Sequence, residues 1–353
     1  MTNNHSEENP DSKPYQLIPF SGRTPHLESP AGHSKFKGDL LHGNLFLNLT
    51  VKTALHISTG IVVLGTDVGK NSIPLIKTMT QDMNNSLIIQ GSSLKGCIRS
   101  VYEAITNSTL GVITNKYDSR IPRKYLPFGH RNSLCSLDEL CPASRVFGAM
   151  GWQGLIEFTD AKYKEVSSVG FMPCLNRPRP EINDEGKKNP IYFNEEGKVR
   201  GRKFYYNTNR AIDKGKDKGI PVQQAKDKYI FTTKLQFKNL KPEELGTLFI
   251  VLGLDDNYPL ALKVGAGKPV GFGTIKIEVT EANIFQNKQD LKNRYSNYTP
   301  PESNNLTGTE LKEFITQKIA DAHNSNLLDK NLLAGVAEVL EYPTNREPKE
   351  GNY

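Results

Sequence analysis

Two glycine-bearing segments carry groups suited to holding an anion. In GSSLKG (Gly91–Gly96), serine hydroxyls and backbone amides free at a helix start would stand beside Lys95 and Arg99, one helical turn apart. The alternative for Ser92 and Ser93 is a tight turn with a serine N-cap. In GAGKPVGFG (Gly265–Gly273), the missing side chains would let another backbone approach closely, and a β-hairpin loop would use the same residues. A third segment, KVRGRKFYY (Lys198–Tyr206), sets Arg200, Arg202 and Lys203 beside Phe204, Tyr205 and Tyr206. Phosphate-seeking cations beside stacking faces suit single-stranded nucleic acid. A fourth group is metal-like: His130, Cys135 and Cys141 fall within 12 residues, spaced as part of a tetrahedral zinc site, with Cys174 available as the last ligand. Unligated thiols and a surface histidine are the other reading. Cys97, on an apolar helical stretch, reads as a buried small hydrophobe.

These residues need elements to position them. NLFLNLTVKTALHI (Asn44–Ile57) alternates apolar and polar residues, the period of a half-buried strand. Residues 58–86 read as loop, with glycines in the first half and a polar TMTQDMNNS in the second. LIIQ then predicts a strand running into a helix over GSSLKG and CIRSVYEAIT, so that Gly91–Gly96 form a strand-to-helix elbow with outward amides. Val146–Asp160 reads as a strand, KYIFTTKLQFKNL as another, PEELGTLFIVLGL as a helix with Pro242 at an early position, and TIKIEVTEA as the last strand. Trp152 and Phe147, beside a glycine-rich turn, read as core aromatics rather than base-stacking platforms. The tail holds two helical patterns, ELKEFITQKIADAH and KNLLAGVAEVLEY. Neither GxGxxG nor GxxxxGK[ST] occurs, which excludes the common nucleotide loops. The mixture predicts an α+β fold with an antiparallel, ferredoxin-like sheet.

The chain has 353 residues, 37% hydrophobic and 24% charged, enough to bury one large core or two modest ones. Its net charge of +7 suits a polyanionic partner. Residues 162–228 alone hold 11 Lys and 5 Arg against 9 acidic residues, so this stretch carries the whole excess. Punctuated by prolines and glycines, it reads as a long basic insertion with little helix. A polar N-terminal stretch without an apolar core, and no run long enough to span a bilayer, predict a cytoplasmic protein with no membrane partner. Four cysteines are too few for a disulfide scaffold.

GSSLKGCIR after an apolar strand, SRVFG followed by GLIEFTDA, and GAGKPVGFG before a last strand together resemble the RAMP superfamily of CRISPR-associated proteins. PYQLIPF near the N-terminus and KVRGRKFYY resemble members close to the backbone subunits of type III effector complexes. The resemblance covers roughly residues 15–280. It implies a ferredoxin-like, RNA-recognition-type RAMP core in two parts, 41–162 and 229–280. The rest would be a flexible arm at 1–40, the basic insertion at 163–228, and a linker with a helical C-terminal extension at 281–353. It implies guide-RNA contacts at Ser92, Ser93, Lys95, Arg99, Gly265, Gly267 and Lys268. Its further partners would be complementary target RNA, other RAMP subunits and the large subunit of the effector. A hairpin from 58–86 or from the insertion would wedge between bases of the guide–target duplex.

Members that cut target RNA resemble one another in an aspartate after the first strand, where this chain has Asn71-Ser72. Asp67, four residues earlier, would then serve as the catalytic carboxylate with Mg2+, assisted by His56 or His42; a turn aspartate is the other reading. In the zinc segment, related members carry C-P-x-C before R-x-F-G, and here Ser144 stands where a thiolate is expected. Two other functions remain open at this level. One is a stand-alone endoribonuclease trimming precursor guide RNA, for which His42, His56 and Tyr102 are the available acid–base groups; the other is a catalytically silent assembly or capping subunit.

Overall fold

The computed structural model describes residues 13–113, 115–163, 167–175, 190–285, 287–296 and 305–349. The centre of the insertion, 176–189, and the first 12 residues of the arm lie outside the described residues.

Strand β1 is Tyr15–Pro19, β2 is Leu41–Val51, β3 is Ser58–Leu64, β4 is Leu75–Met79 and β5 is Leu87–Ile89. Along β2, Leu45, Leu47, Leu49 and Val51 are buried while Asn44, Phe46, Asn48 and Thr50 are only partly covered, as period-two alternation requires. Helix α1, Gly91–Ile105, follows β5 and buries Leu94, Ile98, Val101, Tyr102 and Ile105, the spacing of one helical face. The strand Ile230–Leu240 pairs antiparallel with β2, the helix Pro242–Val251 follows it, and Thr274–Phe285 pairs antiparallel with the other edge of β2. Ile156–Phe158 and Ala161–Tyr163 pair antiparallel with Ile230–Leu240. The chain thus runs β–α–β–β–α–β with its fourth strand beside the first, the first beside the third and the third beside the second. This is a ferredoxin-like core within a larger sheet.

Helix α1 packs against the helix Pro242–Val251, and the two tail helices extend that layer. Gly308–Asn324 lies against Pro242–Val251, and Lys330–Leu340 lies against α1 and β1. Asp329 caps the last helix by accepting from the Leu332 amide.

Three segments depart from the sequence reading. Residues 58–86 contain a β-hairpin, β3 with β4, rather than a loop. The signal was weak because β3 buries none of its residues, and so lacks alternation. β4 pairs in parallel with Ile220–Gln224, which pairs antiparallel with Ser168–Met172; the hairpin and both flanks of the basic insertion therefore build one second sheet. The segment read as a strand from Val146 instead ends a short helix, α2, Pro142–Phe147, started by Pro142 at its first turn. Third, Gly201–Tyr205 pairs with β1, so the docked part of the arm and the basic aromatic motif form one ribbon.

Candidate nucleic-acid interface

At the start of α1, Ser92 is exposed and Ser93 half-buried, and neither caps the helix. The Gly91 amide donates to Asp160 Oδ1 at 2.8 Å, placing a protein carboxylate at the positive end of the helix. Lys95 and Arg99 are also engaged. Lys95 Nζ donates to the Ile156 carbonyl at 2.8 Å, and burial, with the charge of Arg99, lowers its pKa. Arg99 Nε donates to Glu103 Oε1 at 2.6 Å, and its Nη1 donates to the Gly148 carbonyl at 2.8 Å. Burial raises the Glu103 carboxyl against the opposing charges of Arg99 and Arg202. The two cations of this turn therefore brace the chain. Asp160 and Glu103, which hold that arrangement, carry no signal in the sequence beyond the i to i+4 spacing of Arg99 and Glu103.

The glycine loop, at the other end of the core in sequence, lies against α1. Cys97 Sγ donates to the Lys263 carbonyl at 3.4 Å, and the charge of Lys268 reaches Cys97. The loop's tight path needs its glycines: Gly265 has φ of 81°, and a Cβ there would press on the His56 carbonyl. Lys268 is half-buried, and its ammonium has no hydrogen-bond or ion-pair partner among the described residues. Lys263 is 5% exposed, with Thr274 Oγ1 at 3.4 Å; burial foremost, then Lys268, brings its pKa down to about 7.

In the basic aromatic motif one cation turns inward, Arg200 is exposed and Lys203 is half-buried. Arg202, read from the sequence as a phosphate-seeking cation, is 8% exposed. It donates to the Ser108 carbonyl, faces Glu103 and lies 5.0 Å from the Phe20 ring and 5.5 Å from that of Tyr125. That assignment is corrected: Arg202 and the buried Phe204 occupy the inner side of a period-two strand. Lys203 lies 3.9 Å from the Tyr15 ring and 4.7 Å from that of Tyr205, and burial brings its pKa to about 8. Arg200 Nε donates to the Phe193 carbonyl at 2.9 Å.

Asp67 lies in a 3-10 turn, Gly65–Val68, between β3 and β4, and is exposed, as are Asn71 and Ser72. Its proposed assistants are held elsewhere. His42 Nε2 donates to the Lys37 carbonyl at 2.8 Å while Nδ1 accepts from the Asn239 amide at 3.0 Å, which fixes a neutral ring. His56 Nδ1 donates to the Gln223 carbonyl at 2.7 Å, and burial lowers the pKa of both histidines. Tyr102 is fully buried, and burial raises its pKa. None of the three is an exposed acid–base group.

Cys135 and Cys141 converge on Thr109 Oγ1, at 3.8 and 3.1 Å, and Cys141 Sγ donates to Ser144 Oγ at 3.2 Å. His130 lines a neighbouring cleft, and Cys174 is exposed. Among the described residues no three His, Cys, Asp or Glu side chains gather to hold a metal ion. Two thiols facing two hydroxyls do not fit the Cys and His donor set of structural zinc, so the four-ligand reading is not assembled.

The core topology puts the protein in the ferredoxin-like class of α+β folds. The sequence pattern of the RAMP superfamily matches residues 48–276, and the chain belongs to that superfamily. No curated protein matches it. Among solved structures, a chain from the cryo-EM structure of the type III-B Cmr-beta bound to cognate target RNA is similar, with 14% identity and a TM-score of 0.33. That likeness covers 69% of this chain and 60% of the solved one, so the chain spans less than two thirds of it. Among the described residues no helix is long and apolar enough to cross a membrane.

Proposed function

We propose that this RAMP protein is a guide-RNA-binding backbone subunit of a type III CRISPR ribonucleoprotein effector, acting with complementary target RNA, other RAMP subunits and the large subunit. The observation that carries this reading is the packing of α1 on the flank of the glycine loop, through Cys97 and the Lys263 carbonyl. Ser92 is exposed at the start of α1, and in the loop Lys268 keeps an ammonium without a partner among the described residues, on a backbone kept thin by Gly265 and Gly267. An unpaired cation beside bare backbone suits a phosphodiester chain, which contributes affinity without reading sequence. The β3–β4 hairpin holds Ile61, Val62, Leu64 and Leu75 at 50 to 60% exposure, an apolar edge of the kind that separates stacked bases.

The test is titration of the full chain with guide RNA at several salt concentrations. Lys268→Glu should weaken binding roughly tenfold and lower the salt slope by about one phosphate contact or more. Equal affinity and slope in the variant would remove the reading.

Within it, a catalytically silent assembly role is favoured over cleavage, because Asn71 stands at the nearest family position and the assistants named for Asp67, His42 and His56, are buried. Mapping target-RNA cuts by the assembled complex with Mg2+, wild type against Asp67→Ala, separates the two. An unchanged pattern supports the silent subunit, and loss of one cut with binding intact makes Asp67 catalytic.

A further inference from the structure

Between α1, α2 and the segment after α1 lies an open cleft of about 820 Å³, within the range of small-ligand sites. One wall is aromatic: Phe128 and Trp152, both half-buried, pack from behind on the Leu140–Cys141 cluster. The Trp152 indole N–H is buried and has no acceptor among the described residues. The rim is apolar and out in solvent, with Met150 69% and Val112 90% exposed. Two cations border it. Arg99 is tied to Glu103 and the Gly148 carbonyl, whereas Arg131 is exposed and without a partner among the described residues; Asp118 is the lining carboxylate.

Nothing in the packing of the core requires this combination. Met150 and Val112, bare beside the aromatic wall, make a contiguous apolar patch of the kind that marks a binding groove. A nucleotide matches these features: a flat π face for the rings and a phosphate for Arg131.

We infer that this cleft takes one unstacked nucleotide of the bound RNA, its base against Trp152 and Phe128 and its phosphate toward Arg131. The inference rests on the RNA-binding reading above and adds a base-holding site to it. Arg99, at the junction of α1 and the cleft, joins the two.

Trp152 is the chain's single tryptophan, so its fluorescence reports this site alone. The full chain would be titrated with a ten-nucleotide single-stranded RNA and with an abasic strand of equal length, binding being followed separately by anisotropy of a label on the RNA. Base-bearing RNA should quench Trp152 in step with binding, and the abasic strand should not. Met150→Asp and Val112→Asp, both at exposed positions, should abolish the quench and weaken binding about tenfold, the order of one lost base–aromatic stack. Far-UV circular dichroism confirms that the variants are folded.

RNA binding with no change in Trp152 emission, or with unaltered affinity in both variants, would overturn the cleft assignment and leave the RNA-binding reading standing. No binding of either strand would overturn both. A quench that follows protein concentration without RNA would give the cleft to a second copy of the chain, and would equally overturn the inference. Lys268→Glu provides the separation: it should lower affinity while the quench at saturation is retained.

Discussion

Replacing Lys263 with methionine should stabilise the protein, and more so in acid than in alkali. Lys263 is 5% exposed, its polar neighbour is the Thr274 hydroxyl at 3.4 Å, and Lys268 adds repulsion. Its pKa falls from 10.5 to about 7. At about 1.4 kcal/mol per pH unit, that drop corresponds to roughly 5 kcal/mol of unfavourable interaction with the charged form. Between pH 7 and 10.5 the unfolded chain holds a proton here that the folded chain lacks, so stability rises with pH across that window. Below pH 7 the folded protein carries the buried charge and the full penalty. The penalty is nearly complete at pH 6 and mostly relieved at pH 9.5, a difference of roughly 3 kcal/mol. Methionine keeps the straight apolar stem and cannot titrate. Urea unfolding of wild type and Lys263→Met at both pH values measures the difference directly, since every other titrating group cancels. A stability difference that is the same at pH 6 and pH 9.5, within about 0.5 kcal/mol, would refute the reasoning and place an anion or water against the ammonium.

Two other outcomes follow from the site. Arg202→Met should cost about 3 to 5 kcal/mol, because it leaves the Glu103 carboxylate buried with Arg99 as its remaining cation; adding Glu103→Gln should recover part of that loss in a double-mutant cycle of thermal melts. Chelators of divalent metals should leave the melting temperature unchanged, since the Cys135–Cys141 pair closes on Thr109 and Ser144; a fall of several degrees would establish a structural metal.

The core was legible where one physical signal dominates. β2 alternates because one face is buried, α1 repeats its apolar residues at helical spacing, and the second glycine segment, Gly265–Gly273, breaks the strand pattern at a turn. The β3–β4 hairpin escaped because a strand with both faces in solvent has no hydrophobic period to read. The charged residues were harder for a different reason. A lysine or arginine in the sequence declares its charge and not its partner, and five of the cations read as RNA contacts, Arg200 on the Phe193 carbonyl among them, are engaged by the chain itself. Lys95 and Arg99 cap carbonyls and Arg202 balances Glu103, while Lys203 lies over Tyr15. In KVRGRKFYY the alternation was present: Arg202 and Phe204 fall on one side, Lys203 and Tyr205 on the other, and a strand pairing with β1 was needed to decide which side is buried.

The cation left without a partner in the glycine loop, Lys268, stands beside the most strongly desolvated lysine, and that proximity joins stability to binding. A phosphate at Lys268 would screen the repulsion it exerts on Lys263 and raise the latter's pKa toward its ordinary range. RNA binding near pH 7 should then take up a fraction of a proton. Calorimetric titration in two buffers of different ionisation enthalpy reads that uptake, and Lys263→Met should remove it while leaving affinity within about twofold. Binding enthalpies that do not depend on the buffer in the wild-type chain would show that the phosphate contacts lie elsewhere.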